Sequence, residues 1–155
     1  MITLKMETAK FNRDLKNFIK KSDLATEIII KEVAFDLLAD ILQPPPKGRH
    51  PVDTGRARAA WYPSIVGLGM NFDLGSGSGV EKGKKEGKFI DKTKGRYLKY
   101  VDMINSVHYI MFLEYGGSKE QAPAGMVRIS MRKRRNKMPK ELSDEFLKEW
   151  NKFNF

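Results

Sequence analysis

Few residues in this chain could do covalent chemistry, and their types and spacing say which kinds. Asp53 and Glu114 could be imagined as a general acid and base, and His108 as a base. An Asp that precedes Thr-Gly is far more often a turn-maker, because its carboxylate accepts hydrogen bonds from backbone two residues on. Glu114 has no partner that the sequence identifies. His108 stands in the apolar run "VHYIMFLEY", where a hydrogen-bonded, half-buried imidazole is the expectation. "GSGSG", residues 75–79, places Gly77 at its centre, so it is not a nucleophile elbow. "GVEKGK" lacks the spacing of a phosphate loop. There is no cysteine and there are two histidines, so disulfides, thiolate nucleophiles and multi-histidine metal sites are excluded. Asp-Thr-Gly also occurs in aspartic proteases, but that fold needs two such loops and a strand-rich chain. The expectation is a protein without enzymatic activity and without a cofactor or metal.

Charge is the stronger signal. Lys and Arg number 29 against 19 Asp and Glu, a formal net charge of +10. Such a surface is drawn to polyanions or to acidic protein partners. Arg128, Arg132, Lys133, Arg134, Arg135, Lys137 and Lys140 fall within thirteen residues that hold no acid. They could grip phosphates with a steep salt dependence. No base-stacking aromatics are interleaved, which favours a solvated face or a protein partner over nucleic acid. Residues 81–96 add seven cations against three acids, Lys82, Lys84, Lys85 and Lys88 among them.

The elements that must position these residues read as one α+β domain over 1–155. Residues 1–43 are helical. Phe11, Leu15, Phe18 and Ile19 share one helical face, "KKSDL" interrupts with Ser22 or Asp23 as a cap, and a second helix spans residues 24–42. That helix is apolar round so much of its circumference that it should be covered by a sheet and by another element. Pro44, Pro45 and Pro46 end it. A small antiparallel sheet with a long loop occupies residues 59–107. Its first strand is "AAWYPSIVGL", residues 59–68, with Pro63 marking an edge or a bulge. Residues 67–95, rich in Gly, Ser and Lys, read as a long mobile hairpin loop that projects from the body. Residues 96–106 return as a strand, with Tyr97, Lys99, Val101, Met103 and Asn105 on one face. Residues 107–117 are strand or a short helix closed by Gly116 and Gly117. A C-terminal helical region covers residues 123–152: the basic helix comes first, then Pro139 opens another with Leu142, Phe146 and Trp150 at helical spacing. No stretch of eighteen apolar residues is present and the N-terminus has no hydrophobic signal core, so neither a membrane span nor secretion is expected.

"PVDTGRARAAW" ties these segments together. Asp53 and Gly55 permit a sharp turn, Gly55 by taking a positive φ. Trp61 would anchor its strand to the helix face, and Arg56 and Arg58 either pair locally or reach another chain.

The order of features resembles the neck or tail-completion family of tailed bacteriophages. The likeness rests on Pro51, Val52, Asp53, Thr54, Gly55, Arg56 and Trp61, then Tyr109, Glu114 and Gly116, then Pro123, and spans roughly residues 24–137. The Gly/Ser/Lys loop and the tail after Met138 depart from that pattern. The resemblance implies helices against a small antiparallel sheet and a structural virion protein forming a ring, sixfold, where head joins tail. It implies partners among other neck, connector and tail proteins and transient contact with genomic DNA in the channel. It implies no membrane, and location in the virion after assembly in the host cytoplasm. Asp53, Thr54, Gly55, Arg56, Arg58, Glu114, Gly116, Arg132, Arg134 and Arg135 are then candidate interface residues. Lys82, Lys84, Lys85 and Lys88 would line the channel or meet a partner ring. A tail-terminator ring protein and a sequence-independent nucleic-acid-binding protein are the alternatives.

Overall fold

From Thr8 to Leu42 the chain contains neither Gly nor Pro, and the whole stretch is one α-helix of 35 residues, α1. The expected break at Ser22–Asp23 does not occur. Ser and Asp cost a few tenths of a kcal/mol each inside a helix, whereas renucleating one costs about 4 kcal/mol. Thr26 Oγ1 donates to the Ser22 carbonyl at 2.8 Å, so the hydroxyl is satisfied by the helix itself. The computed structural model describes residues 8–43, 50–95, 97–116, 124–135, 143–144, 147–148 and 151. Pro44–Pro46, Pro123, Lys137, Lys140 and the apolar positions Leu142, Phe146 and Trp150 lie outside the described residues.

The remaining elements are α2 (Arg56–Ala59), α3 (Tyr62–Gly67), α4 (Val80–Lys84), β1 (Gly87–Asp91), β2 (Val101–Asn105), α5 (Ile110–Tyr115) and α6 (Met126–Arg135). The fold is α+β: helices packed with a small antiparallel sheet. The core gathers Leu38, Ile41 and Leu42 of α1 with Ala59, Trp61, Ile65, Leu74 and Val80. It therefore sits against the C-terminal third of α1, while Leu15, Ile19, Leu24 and Ile28 remain exposed. The expected cover is partial: the core and α6 meet this end, and the end of the sheet meets the middle of α1 through Lys31–Asp91 at 3.1 Å and Asp23–Lys99 at 3.6 Å.

Residues 59–68 are helical, not a strand. Ala57, Ala59 and Ala60 are buried and small, and Ala is the strongest helix former. Pro63 falls in the first turn of α3, where its missing N–H has no partner to lose. Trp61 links α2 to α3 and inserts between them and α1, so it is a core anchor as expected, but from a helix junction.

The true partner of the second strand lies inside the supposed loop. β1 pairs antiparallel with β2, Phe89 opposite Met103 and Gly87 opposite Asn105. Val101, Met103 and Asn105 share one face, as the alternation predicts, and it is the inward one; the strand is shorter than the expected 96–106, and Tyr97 lies before it, exposed. Residues 75–87 do not project from the body. The positions where Cβ atoms of Gly77, Gly79, Gly83 and Gly87 would stand are occupied by Thr54, Arg56, Ala59 and Ala60. Gly79 N–H donates to the Thr54 carbonyl at 3.0 Å. These glycines let α4 lie directly on the backbone of α2; they do not confer looseness.

Candidate functional site

Gly55 adopts φ +77°, the left-handed conformation, and starts α2. A Cβ there would be strained and would stand 2.9 Å from Val80 Cγ2, so the turn needs glycine twice over. Asp53 is exposed and makes no hydrogen bond to another described residue. The carboxylate-to-backbone turn expected of it occurs at two other aspartates. Asp73 Oδ1 accepts from Gly75 N–H at 2.8 Å. Asp91 Oδ1 accepts from the Thr93 hydroxyl at 2.6 Å and from Thr93 N–H at 2.9 Å. Those bonds, with Lys31 nearby, hold the Asp91 carboxyl down at about 2.

Both arginines of the motif turn inward. Arg56 forms a two-pronged pair with Glu86: Nε donates to Oε2 at 2.6 Å and Nη2 to Oε1. Its guanidinium also lies over the Tyr109 ring, 5.8 Å from the centroid. The hydrogen bonds raise the Arg56 pKa and lower that of Glu86. Arg58 Nη2 donates to the Leu74 carbonyl at 2.6 Å and stacks over Phe72. Within the chain, Arg56 pairs with an acid and Arg58 with a backbone carbonyl.

Glu114 is buried, 6% exposed, and caps a helix from outside it. Its Oε2 accepts from Val127 N–H and its Oε1 from Arg128 N–H, both at 2.9 Å. A carboxylate at a helix N-terminus satisfies orphan donors and complements the dipole. Gly116, φ +79°, closes α5. The basic helix α6 is divided in use. Arg134 docks on α1 through Asp36 at 2.6 Å and Asp40 at 3.0 Å, with Lys133 3.2 Å from Asp40. Arg132 and Arg135 point outward. Lys82, Lys85 and Lys88 are exposed, whereas Lys84 pairs with Glu81 at 2.7 Å and lies over Tyr62. His108 is exposed and stacks edge-on with Tyr109, not half-buried as expected.

The fold brings together the two stretches that carry the resemblance. A cleft of about 170 Å³ is walled by Pro51 and residues 53–57 on one side and by Tyr109 and Leu113 on the other. Beside it α5 turns Met111, Phe112 and Tyr115 to solvent, each more than half exposed. Interior neighbours Leu113 and Glu114 hold that helix in place. Sequence reading passed over this exposed trio, although "IMFLEY" offers more apolar side chains than a six-residue helix has inward positions.

His50 was also passed over. It is fully buried, and because a carbonyl only accepts, its Nδ1 donates to the Pro51 carbonyl at 2.9 Å. Burial, aided by the charge of Arg58, pushes its pKa down to about 4. Among the described residues no group of three or more His, Cys, Asp or Glu side chains could hold a metal ion, and no helix is long and apolar enough to cross a membrane. No family model, curated protein or solved structure matches the chain.

Proposed function

We propose that this chain is a structural protein of the virion that forms a ring in the neck of a tailed bacteriophage, joining the DNA-filled head to the tail. It acts by fitting against copies of itself and adjoining rings, without making or breaking covalent bonds. The observation that carries this reading is the outward Met111–Phe112–Tyr115 face of α5, set beside the cleft of the Asp-Thr-Gly turn. An apolar patch of this kind on a soluble chain marks a protein contact. A separate exposed set, Leu24, Ile28 and Phe35, lies on α1. Two unlike patches suit the head-to-tail contacts from which rings are built, one surface for each neighbour. The resemblance in residues 51–61 and 109–123 supplies the virion setting, the sixfold ring and the neck, connector and tail proteins as partners.

Light scattering on the eluting protein tests it. The expected species is a multiple of 17.8 kDa, alone or with the partner rings, and Phe112→Asp with Tyr115→Asp returns it to monomer. A strict monomer beside those partners, or intact infectious particles lacking the chain, overturns the reading. The outward Arg132, Arg135, Lys82, Lys85 and Lys88 favour a second reading, a sequence-independent grip on nucleic acid. It requires tight DNA binding that falls steeply with salt; in a neck ring these cations make only weak contact with a genome that must slide past.

A further inference from the structure

Residues 92–100, "KTKGRYLKY", join β1 to β2 and hold four cations, two tyrosines, a leucine and no acid. Hydrogen bonds tie this turn together. Lys92 N–H donates to the Tyr100 carbonyl at 2.9 Å and Gly95 N–H to the Lys92 carbonyl at 3.0 Å. Thr93 is fully buried, its hydroxyl on Asp91, and its carbonyl accepts from Lys99 Nζ at 3.1 Å. On this frame Tyr97 is 90% exposed and Leu98 71% exposed, and Tyr100 is exposed as well. An aromatic ring presented by a tied turn offers a stacking surface with little left to order on binding.

The turn lies against α1. Lys99 Nζ stands 3.6 Å from Asp23, and Asp91, at the end of β1, is 3.1 Å from Lys31. The Glu27 carboxyl is held below its ordinary range by its 2.8 Å bond with Lys31 and, beyond that, by the charges of Lys31 and Lys94. At 100° per residue Asp23, Glu27 and Lys31 share a strip of the helix. Arg13, Lys16 and Lys20 prolong it toward the N-terminus, all six within an arc of about 80°. No other acid of α1 falls in that arc. Asp23, Glu27 and Asp91 are thus each engaged by Lys99 or Lys31. Asp102, outward on β2, is the remaining acid of the hairpin, so Lys16, Lys20, Lys92 and Lys94, all exposed, set the sign of the surface.

We infer that this corner between α1 and the β1–β2 turn binds single-stranded nucleic acid, with bases stacked on Tyr97 and Tyr100 and the phosphates following Lys94, Lys20 and Lys16 toward Arg13. From the level of Asp23 to Arg13 that line runs about 15 Å along the helix. Aromatics interleaved with cations are what the basic helix α6 lacks, and they separate a grip on bases from plain attraction to charge. A double helix hides the faces of its bases, so the unpaired strand is the partner that fits. An anionic membrane calls for a broader apolar face than Leu98, the one aliphatic side chain of the turn, supplies. The surface shares no residue with the α5 face or with the outward cations at α4 and α6, and it does not rest on the ring reading.

Fluorescence anisotropy of labelled oligothymidylate and oligouridylate tests it on the full chain. The side chains to be changed are exposed, so the variants leave the core intact. Tyr97→Ala should weaken binding about tenfold, and Tyr97→Phe, which keeps the ring, should bind as the parent does. Lys16→Gln with Lys20→Gln should make the fall of log K with log salt shallower by about 1.4. Inorganic polyphosphate, which has no bases, should bind the parent and Tyr97→Ala alike. Arg132→Gln with Arg135→Gln should leave the tenfold effect of Tyr97→Ala in place. Parent-like affinity in Tyr97→Ala, or a loss of binding confined to the α6 pair, overturns the proposal. So does failure of either oligonucleotide to bind at low salt; phosphatidylserine vesicles that then bind the parent but not Tyr97→Ala would assign the turn to a membrane instead.

Discussion

Gly83→Ala separates a packed glycine segment from a loose one. Gly83 lies within α4, and replacing a helical Gly by Ala at an open position stabilises by about 1 kcal/mol. Here the added Cβ would stand 2.9 Å from Ala59 Cβ and 3.0 Å from the Arg56 carbonyl carbon, with the Arg56 oxygen closer still. Backbone and a methyl group have no rotamer through which to yield, so α4 must lift from α2. Overpacking of this kind costs about 1–3 kcal/mol or more. The propensity gain offsets part of that, and the expected net loss is about 2 kcal/mol, or about 4–8 °C in Tm for a chain of this size. Urea denaturation followed by tryptophan emission and circular dichroism measures it. Gly69→Ala is the control: φ is +68° but nothing lies within 4 Å, so only the left-handed strain of about 1 kcal/mol applies. A Gly83→Ala protein as stable as the parent, or more so, would refute the seating of α4 on α2.

Three further outcomes follow from the geometry. Glu114→Ala strips two N–H groups at the start of α6 of their acceptor and should cost about 2 kcal/mol, with hydrogen exchange at Val127 and Arg128 rising before the rest of the helix. His50 stays neutral in the fold down to about pH 4, whereas in the unfolded chain it titrates near 6.5. Its contribution is therefore complete above pH 6.5 and is lost as pH falls toward 4, by about 3 kcal/mol. The difference in stability between His50→Gln and the parent, followed across that range, should show this slope. Arg56→Lys, Glu86→Gln and the double variant should give a coupling energy of about 1–2 kcal/mol in chemical denaturation, because the two-pronged geometry is lost with either partner.

What the sequence revealed of this fold tracks how local each cause is. The long helical third, the alternation that puts Val101, Met103 and Asn105 on one face, the basic helix and the positive φ of Gly55 are written within a few residues of themselves. The break at Ser22–Asp23 was misread because capping residues are also tolerated mid-helix when their polar groups find helical partners, as at Thr26. Residues 59–68 looked like a strand because Trp, Tyr, Ile and Val outweigh Ala by eye, although Ala sets the local preference and Pro63 fits a first turn. "GSGSG" was the deepest ambiguity. Glycine is chosen both where backbone must roam and where two backbones must touch, and only Thr54, Arg56 and Ala60 across the contact tell the cases apart. Within the candidate site, the outward α5 trio and the inward Glu114 alternate on one six-residue helix. Their roles depend on where α6 begins, at Met126, twelve residues after Glu114.

The placement of the core has a mechanical consequence. α1 is rooted by Leu38, Ile41 and Leu42, and its first turns reach about 30 Å beyond Ile29. A tilt of ten degrees about Leu38 carries the backbone at Arg13, about 38 Å away, through roughly 6–7 Å. Lys31–Asp91 at 3.1 Å and Asp23–Lys99 at 3.6 Å tie the middle of that lever to the sheet, so a shift of β1 and β2 is carried outward to the basic end of α1.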